Sequence, residues 1–283
     1  MFKRDLETQV FDSLQDSSFF LTKLKPDILS GTVFSAIRRN YMDFYHKGGC
    51  LFRFQKEFTT HRKYASVVQS KSDYVSENDL QKNVRLIQDF AEGYEEIKQN
   101  CSLYSGEEAK GVSSIYHNYS FLEQNSDVVV LDIEISFKAI DENRKQDRID
   151  LLLFNKKTQC LKFYEAKYFS NSELWSRANT RPRVIAQIHR YESQIDRNKS
   201  NILKQYENYV NLVNDLYQCN LPCPKDIDNN VVLLVFGFDS DQRQGRLREL
   251  LLKDNSLKEI KYYFIGNVSN LNILNMWNNV RCG

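Results

Sequence analysis

"DRIDLLLFNKKTQCLKFYEAKYF" (147–169) holds two short apolar runs joined by a polar loop. Each run is interrupted by charge: Asp150 in the first, Glu165 and Lys167 in the second. Runs of this length and composition read as strands, and the short loop makes them an antiparallel hairpin. Pairing Phe154 with Leu161 sets Leu152 opposite Phe163 and Asp150 opposite Glu165. Lys167 follows two residues later on the same face. That face is then apolar near the turn and ionic at its far end.

Two facing carboxylates repel and are costly to desolvate, so something must compensate them. Lys167 supplies one positive charge, and a divalent cation would supply two more. Mg²⁺ favours carboxylate oxygens and keeps several waters. Bound there, it could clamp a phosphate, lower the pKa of an attacking water and neutralise charge in the transition state. The competing reading is a local salt-bridge cluster where the sheet face meets solvent.

The strands around this hairpin set the fold class. "DVVVLDIEISFKA" (127–139) is β-rich and partly alternating. The hairpin is followed by a helical pattern at 181–195, with Pro182 suited to its first turn, and by a second at 201–218. Then come a strand (230–239), a short helix (about 242–253) and a last strand (259–268). Three strands, helices, strand, helix, strand imply an α/β fold, a mixed central sheet flanked by helices. Residues 1–110 read as a mainly helical N-terminal region, a nucleic-acid-binding or packing extension, and 111–283 as the core. In 76–99, Leu80, Val84, Ile87, Ala91, Tyr94 and Ile97 share one stripe at helical spacing, and Ser76 or Asn78 can cap its start.

The chain has 283 residues, 41% of them apolar and 13% aromatic, enough to bury a core. Lys and Arg number 39 against 37 Asp and Glu, a net charge of +2, so any basic binding surface must be local. The first residues mix both charge signs and carry no long apolar core. The longest apolar run, near "VVLLVFGF" (231–238), is too short to cross a bilayer. These features imply a soluble, cytoplasmic protein with no membrane partner. The six cysteines are scattered; Cys219 and Cys223 in "CNLPC" lack the second ligand pair that zinc requires, so reduced thiols are expected.

On the helix at 181–195, Val184, Gln187, Ile188, Tyr191 and Ile195 share one face. Gln187 is its clearly polar member. If that face covers the sheet, Gln187 and Tyr191 point at the charged end together.

Ile149-Asp150, fourteen intervening residues, then Glu165-Ala166-Lys167, resembles the motif of the PD-(D/E)XK nuclease superfamily, with its restriction-endonuclease-like fold. Gln187-x-x-x-Tyr191 resembles the additional helix motif of its exonuclease-like branch. The likeness covers roughly residues 110–270. It implies a hydrolase: a Mg²⁺- or Mn²⁺-dependent nuclease acting on nucleic acid, DNA ahead of RNA. By that resemblance Asp150, Glu165 and the main-chain carbonyl of Ala166 would bind the metal. Lys167 would orient or deprotonate the attacking water and stabilise the charged phosphate. Gln187 and Tyr191 would support the site or touch the substrate backbone, and the product would carry a 5′-phosphate. Ile149 stands where the motif name has proline. The family's further acid is not evident; Glu123, Glu134 and Glu57 are candidates. Without it, a catalytically inactive nuclease-fold protein, acting as a nucleic-acid-binding or scaffold module, is the alternative. A small-molecule enzyme using the same acids would instead need a closed, neutral pocket.

Three stretches could meet nucleic acid. Residues 38–64 interleave seven Lys or Arg with Tyr41, Phe44, Tyr45, Phe52, Phe54, Phe58 and Tyr64. Their competing reading is an aromatic core beneath a solvated charged face, with Gly48-Gly49 as a turn. "RANTRPR" (177–183) adds three arginines beside the proposed site, and "SDQRQGRLRE" (240–249) is the third candidate. The acids around Glu92, Glu95 and Glu96 should face away from nucleic acid.

Overall fold

The aromatic-rich stretch within the expected helical region folds as an antiparallel sheet. Its strands are β1 (Phe34–Ile37), β2 (Met42–His46), β3 (Gly49–Phe54), β4 (Phe58–His61) and β5 (Tyr74–Ser76), paired in chain order. The reason is local. Lys47 and Gly48 both have positive φ, and His46 pairs with Gly49, so a two-residue turn with the hand that strand twist favours closes the hairpin. Aromatic and β-branched residues then fit a pleated surface better than a helix. Phe44, Phe52, Phe54 and Phe58 are buried in the core, and Arg38 and Arg53 converge on the buried Asp43. The core reading of 38–64 therefore holds for these side chains.

The computed structural model describes residues 2–66, 72–81, 87–137, 147–176, 180–249 and 255–282. The chain divides into two units. The first comprises Lys3–Asn118 with Leu212–Cys219, and the second Met1–Phe2, Tyr119–Asn211 and Asn220–Gly283. Around the first sheet lie helices α1 (Thr8–Gln15), α2 (Lys25–Leu29), α3 (Glu77–Gln81), α4 (Tyr94–Tyr104) and α5 (Glu107–Tyr119). The single helix expected over 76–99 is not formed. Ser76 does precede α3, where the Asp79 carboxylate accepts from its N–H and hydroxyl. Residues 87–93 are not helical, however, and α4 starts afresh after Gly93, with the Asp89 carboxylate accepting from Glu92 N–H in the turn. Val84 of the expected stripe lies outside the described residues.

His46 is buried in this unit, with Nδ1 3.0 Å from the Thr32 carbonyl. Burial holds its pKa below the ordinary value, opposed by the bond to the Thr32 carbonyl and by Asp27 and aided by Lys98 and Lys47. The folded state therefore keeps the ring neutral while the unfolded chain protonates near pH 6.5. Stability that is complete above that pH should be lost as the pH falls, by at most about 1.4 kcal/mol per unit. Thermal melts from pH 7.5 to 5.5 should show this fall, and His46→Gln should reduce it, leaving the smaller share of His61.

The second unit is built on β6 (Val128–Phe137), β7 (Asp147–Asn155) and β8 (Cys160–Tyr168). Helix α6 (Arg183–Tyr217) follows, then β9 (Asp226–Ile227), β10 (Val232–Phe236), α7 (Ser240–Gln242), β11 (Lys261–Ile265), α8 (Ile273–Asn278) and β12 (Arg281–Cys282). The strands form one mixed sheet in the order β12-β11-β10-β8-β7-β6, with β9 pairing in parallel with the start of β8. β6, β7 and β8 are antiparallel; β8, β10 and β11 are parallel. The fold class is thus α/β, a mixed sheet flanked by helices.

In place of the two helices expected over 181–218, α6 is one helix of 35 residues. Residues 196–200 contain neither Gly nor Pro, so nothing local stops it. The helix begins at Arg183, two residues after the expected start, with Pro182 just before it rather than in its first turn. The helix expected near 242–253 forms over 240–249, with a π-helical turn at Arg243–Leu247. Its remainder, and residues 138–139 of the first expected strand, lie outside the described residues.

Beyond β10, Gly237 takes φ +77° and donates to the Gly266 carbonyl. A Cβ there would collide with the Tyr168 ring. Gly237→Ala should therefore destabilise the protein by about 1–3 kcal/mol, read as a lower urea midpoint with an unchanged slope.

Candidate active site

The hairpin adopts the assumed register over its apolar part, but the expected Asp150–Glu165 pair is not formed. Phe154 pairs with Leu161 and Leu152 with Phe163. The ladder ends one step beyond, at Leu151 and Tyr164. There the Asp150 side chain replaces a backbone partner, and its Oδ2 accepts from the Ala166 N–H at 2.8 Å. From this point β7 continues against β6, while β8 runs on beside β10, where Glu165 is level with Leu233 and Lys167 with Val235. Asp150 thus sits, half-exposed, where two strands part.

Glu165 and Lys167 are only 1% and 5% exposed. Ions so deeply buried need partners. Lys167 Nζ lies 2.7 Å from Glu165 Oε1 and 3.2 Å from Glu173 Oε2. Helix α6 adds a further donor: Gln187 Nε2 is 2.8 Å from the same Glu165 oxygen and 2.6 Å from the Tyr191 hydroxyl. Tyr191 in turn donates to the Arg148 carbonyl at 2.6 Å, which ties α6 to β7. Burial first, then the Glu165 carboxylate, push the Tyr191 hydroxyl well above its ordinary pKa. It stays protonated at neutral pH and keeps this bond. The structure therefore gathers Asp150, Glu165, Ala166, Lys167, Gln187 and Tyr191 at one end of the hairpin.

The three candidates for a further acid differ. Glu123 lies near the opposite end of β7: its carboxylate accepts from Asn125 N–H, and its carbonyl accepts from Lys156. It is not part of this cluster. Glu57 is exposed in the turn between β3 and β4, in the first unit. Glu134 is the one placed beside the site. Ile133 pairs with Leu151 and Ile135 with Ile149, so Glu134 falls opposite Asp150. It takes φ +53°, a conformation costly for a residue with a Cβ, and its carboxylate pairs with Arg148 at 2.7 Å. No group of three His, Cys, Asp or Glu side chains that could hold a metal ion occurs among the described residues.

Two members escape the sequence reading. Gln194 is buried and donates from Nε2 to Asp147 Oδ2 at 2.8 Å. Its signal is present in the sequence: Gln187, Tyr191 and Gln194 follow i, i+4, i+7 spacing on one helix face. Glu173 reaches Lys167 from a short 3₁₀ turn (Ser172–Leu174), a contact no spacing rule gives.

The basic stretches fare unevenly. Of "RANTRPR", Arg177 lies outside the described residues, and Arg181 pairs with Glu259 at 3.3 Å on the surface. Arg243 and Arg248 of the third stretch are exposed. All six cysteines are free thiols. Among the described residues no helix is long and apolar enough to cross a membrane.

Comparison with family models, with curated proteins and with solved structures found no match to this chain.

Proposed function

We propose that the protein is a metal-dependent nuclease hydrolysing phosphodiester bonds of nucleic acid, with DNA ahead of RNA as substrate. The observation that carries this reading is the convergence of Asp150, Glu165 and Lys167 where β8 parts from β7, with Gln187 of α6 on the same carboxylate. Two acids suit the chemistry, because Mg²⁺ binds through one or two carboxylates and fills its shell with waters and substrate phosphate. Asp150, Glu165 and the Ala166 carbonyl would hold Mg²⁺ or Mn²⁺, which supplies charge neutralisation and a lowered water pKa.

The chain's own residues do the remainder. Lys167 places an ammonium beside the acids, where negative charge grows on the phosphate oxygens. Gln187 fixes the orientation of Glu165, and Tyr191 fixes that of Gln187. Water oxygen forms the new bond to phosphorus, the bond to the 3′-oxygen breaks, and a 5′-phosphate and a 3′-hydroxyl result.

One observation favours the second reading, an inactive nuclease-fold module that binds nucleic acid. Lys167 and Gln187 already contact the Glu165 carboxylate, so its charge is partnered without a metal. Incubation with labelled linear, circular and single-stranded DNA, with and without Mg²⁺ or Mn²⁺, separates the two. Cleavage that requires the metal supports the nuclease. Binding without turnover, with little metal affinity by calorimetry, supports the module.

A further inference from the structure

The second unit carries an open cleft of about 1110 Å³ along the β11–β12 edge of its sheet. That exceeds the roughly 300–1,000 Å³ of a small-molecule pocket. Segment 240–249 contributes Arg243 and Arg248, and β12 contributes Arg281. None of the three guanidinium groups forms an ion pair with a described residue. The one acid among the described lining residues, Asp239, is engaged in capping α7 through the Gln242 N–H. Tyr263 and Phe264 line the same cleft half-exposed, and the Tyr262 and Phe264 rings lie 4.7 Å apart.

Sheet register connects this cleft with the acid cluster. Tyr262 is level with Leu233 and Glu165, and Phe264 with Val235 and Lys167. Residues level with one another share a face, so Tyr262 and Phe264 stand on the face that carries the acids. They are two strand spacings away, about 10 Å. Arg281 pairs with Tyr262 and joins that face.

We infer that this cleft binds single-stranded nucleic acid, its arginines holding backbone phosphates and Phe264 stacking on a base. Guanidiniums that pair with no described acid match phosphate oxygens in bidentate geometry. Of the rings, Tyr262 is buried and Tyr263 turns to the other face of the sheet, so half-exposed Phe264 is the surface on which a base of a single strand can stack, as a stacked duplex cannot. The inference rests on the nuclease reading only for its direction: a strand held here would lead along the shared face to Asp150 and Glu165.

Binding is therefore measured in EDTA, where cleavage plays no part. Fluorescence anisotropy with a labelled oligo-dT should show salt-dependent binding. Arg243→Ala/Arg248→Ala/Arg281→Ala should weaken it at least tenfold and shallow the log–log salt slope by about 2, at roughly 0.7 per phosphate released. All three side chains are exposed or half-exposed, so the fold should survive. If melts show otherwise, the single Arg281→Glu variant gives the same reading. Unchanged binding in these variants overturns the inference, as does equal affinity for duplex or for inorganic polyphosphate. Cleavage that survives with cleft variants indifferent sinks the cleft alone; cleft-dependent binding without Mg²⁺-dependent cleavage sinks the nuclease alone.

Discussion

Asp150→Asn should abolish Mg²⁺-dependent cleavage, by at least about a thousandfold, with the fold intact. The argument is one of charge at constant shape. The asparagine side-chain oxygen can still accept from the Ala166 N–H, so the junction between β7 and β8 is preserved. What is lost is the negative charge that would hold a divalent cation, and a bound cation carries much of the charge stabilisation that phosphoryl transfer needs. Glu165→Gln should act alike, with a structural cost that Asp150→Asn avoids. Glu165 is buried against Lys167, and neutralising it leaves that ammonium to Glu173, 3.2 Å away. Single-turnover cleavage with a labelled oligonucleotide, beside calorimetric Mg²⁺ titration, reads both effects. A purified Asp150→Asn/Glu165→Gln double variant that cleaves at the parental rate would falsify the assignment.

Asp43→Ala should cost about 3–5 kcal/mol of stability, the largest effect expected outside the acid cluster. Asp43 lies in β2, whose residues are all buried. It accepts from Arg53 at 2.7 and 3.3 Å and lies 3.5 Å from Arg38. Arg38 is itself buried, at 6% exposure, so removing Asp43 leaves its charge without this partner inside the fold. Arg53 is better placed: it is partly exposed and rests over the Tyr41 and Tyr74 rings at 4.5 and 5.5 Å. The loss is therefore expected to trace mainly to Arg38, and adding Arg38→Met to Asp43→Ala should recover part of it. Urea unfolding measures both. A change under about 1 kcal/mol in the single variant would show that Arg38 finds solvent.

The contrast between the two units shows how far residue patterns reach. The hairpin at 147–169 is legible because two β-rich apolar runs flank a short polar loop. Both faces of β7 are buried from Leu151 to Asn155, so it is the short polar loop between Phe154 and Leu161 that sets the pairing of these two residues. Once that register is set, Glu165 and Lys167 follow on the same face, and the helical spacing of Gln187 and Tyr191 aims both at them. The first unit misleads because the apolar residues of 76–99 fit a helical stripe that a turn at 87–93 interrupts. In 34–61 the decisive signal is the Lys47-Gly48 turn, whose two positive φ angles make a hairpin. The arginines of that region are no guide to a binding surface, since charge in a sequence does not say whether its partner lies inside the fold.

Strand periodicity, turn position and the placing of acids in apolar runs pointed to the α/β class, the hairpin and five side chains of the ionic cluster: Asp150, Glu165, Lys167, Gln187 and Tyr191. These are local properties, set by pleat and helix repeat within a few tens of residues. Only the tertiary structure decided that the ladder stops at Leu151 and Tyr164, that Glu134 and not Glu123 stands beside Asp150, and that Glu173 reaches Lys167. It alone brought Arg281 level with Tyr262 beside segment 240–249. Each of these depends on which strands become neighbours in the sheet, and that is settled by packing between segments far apart in the chain.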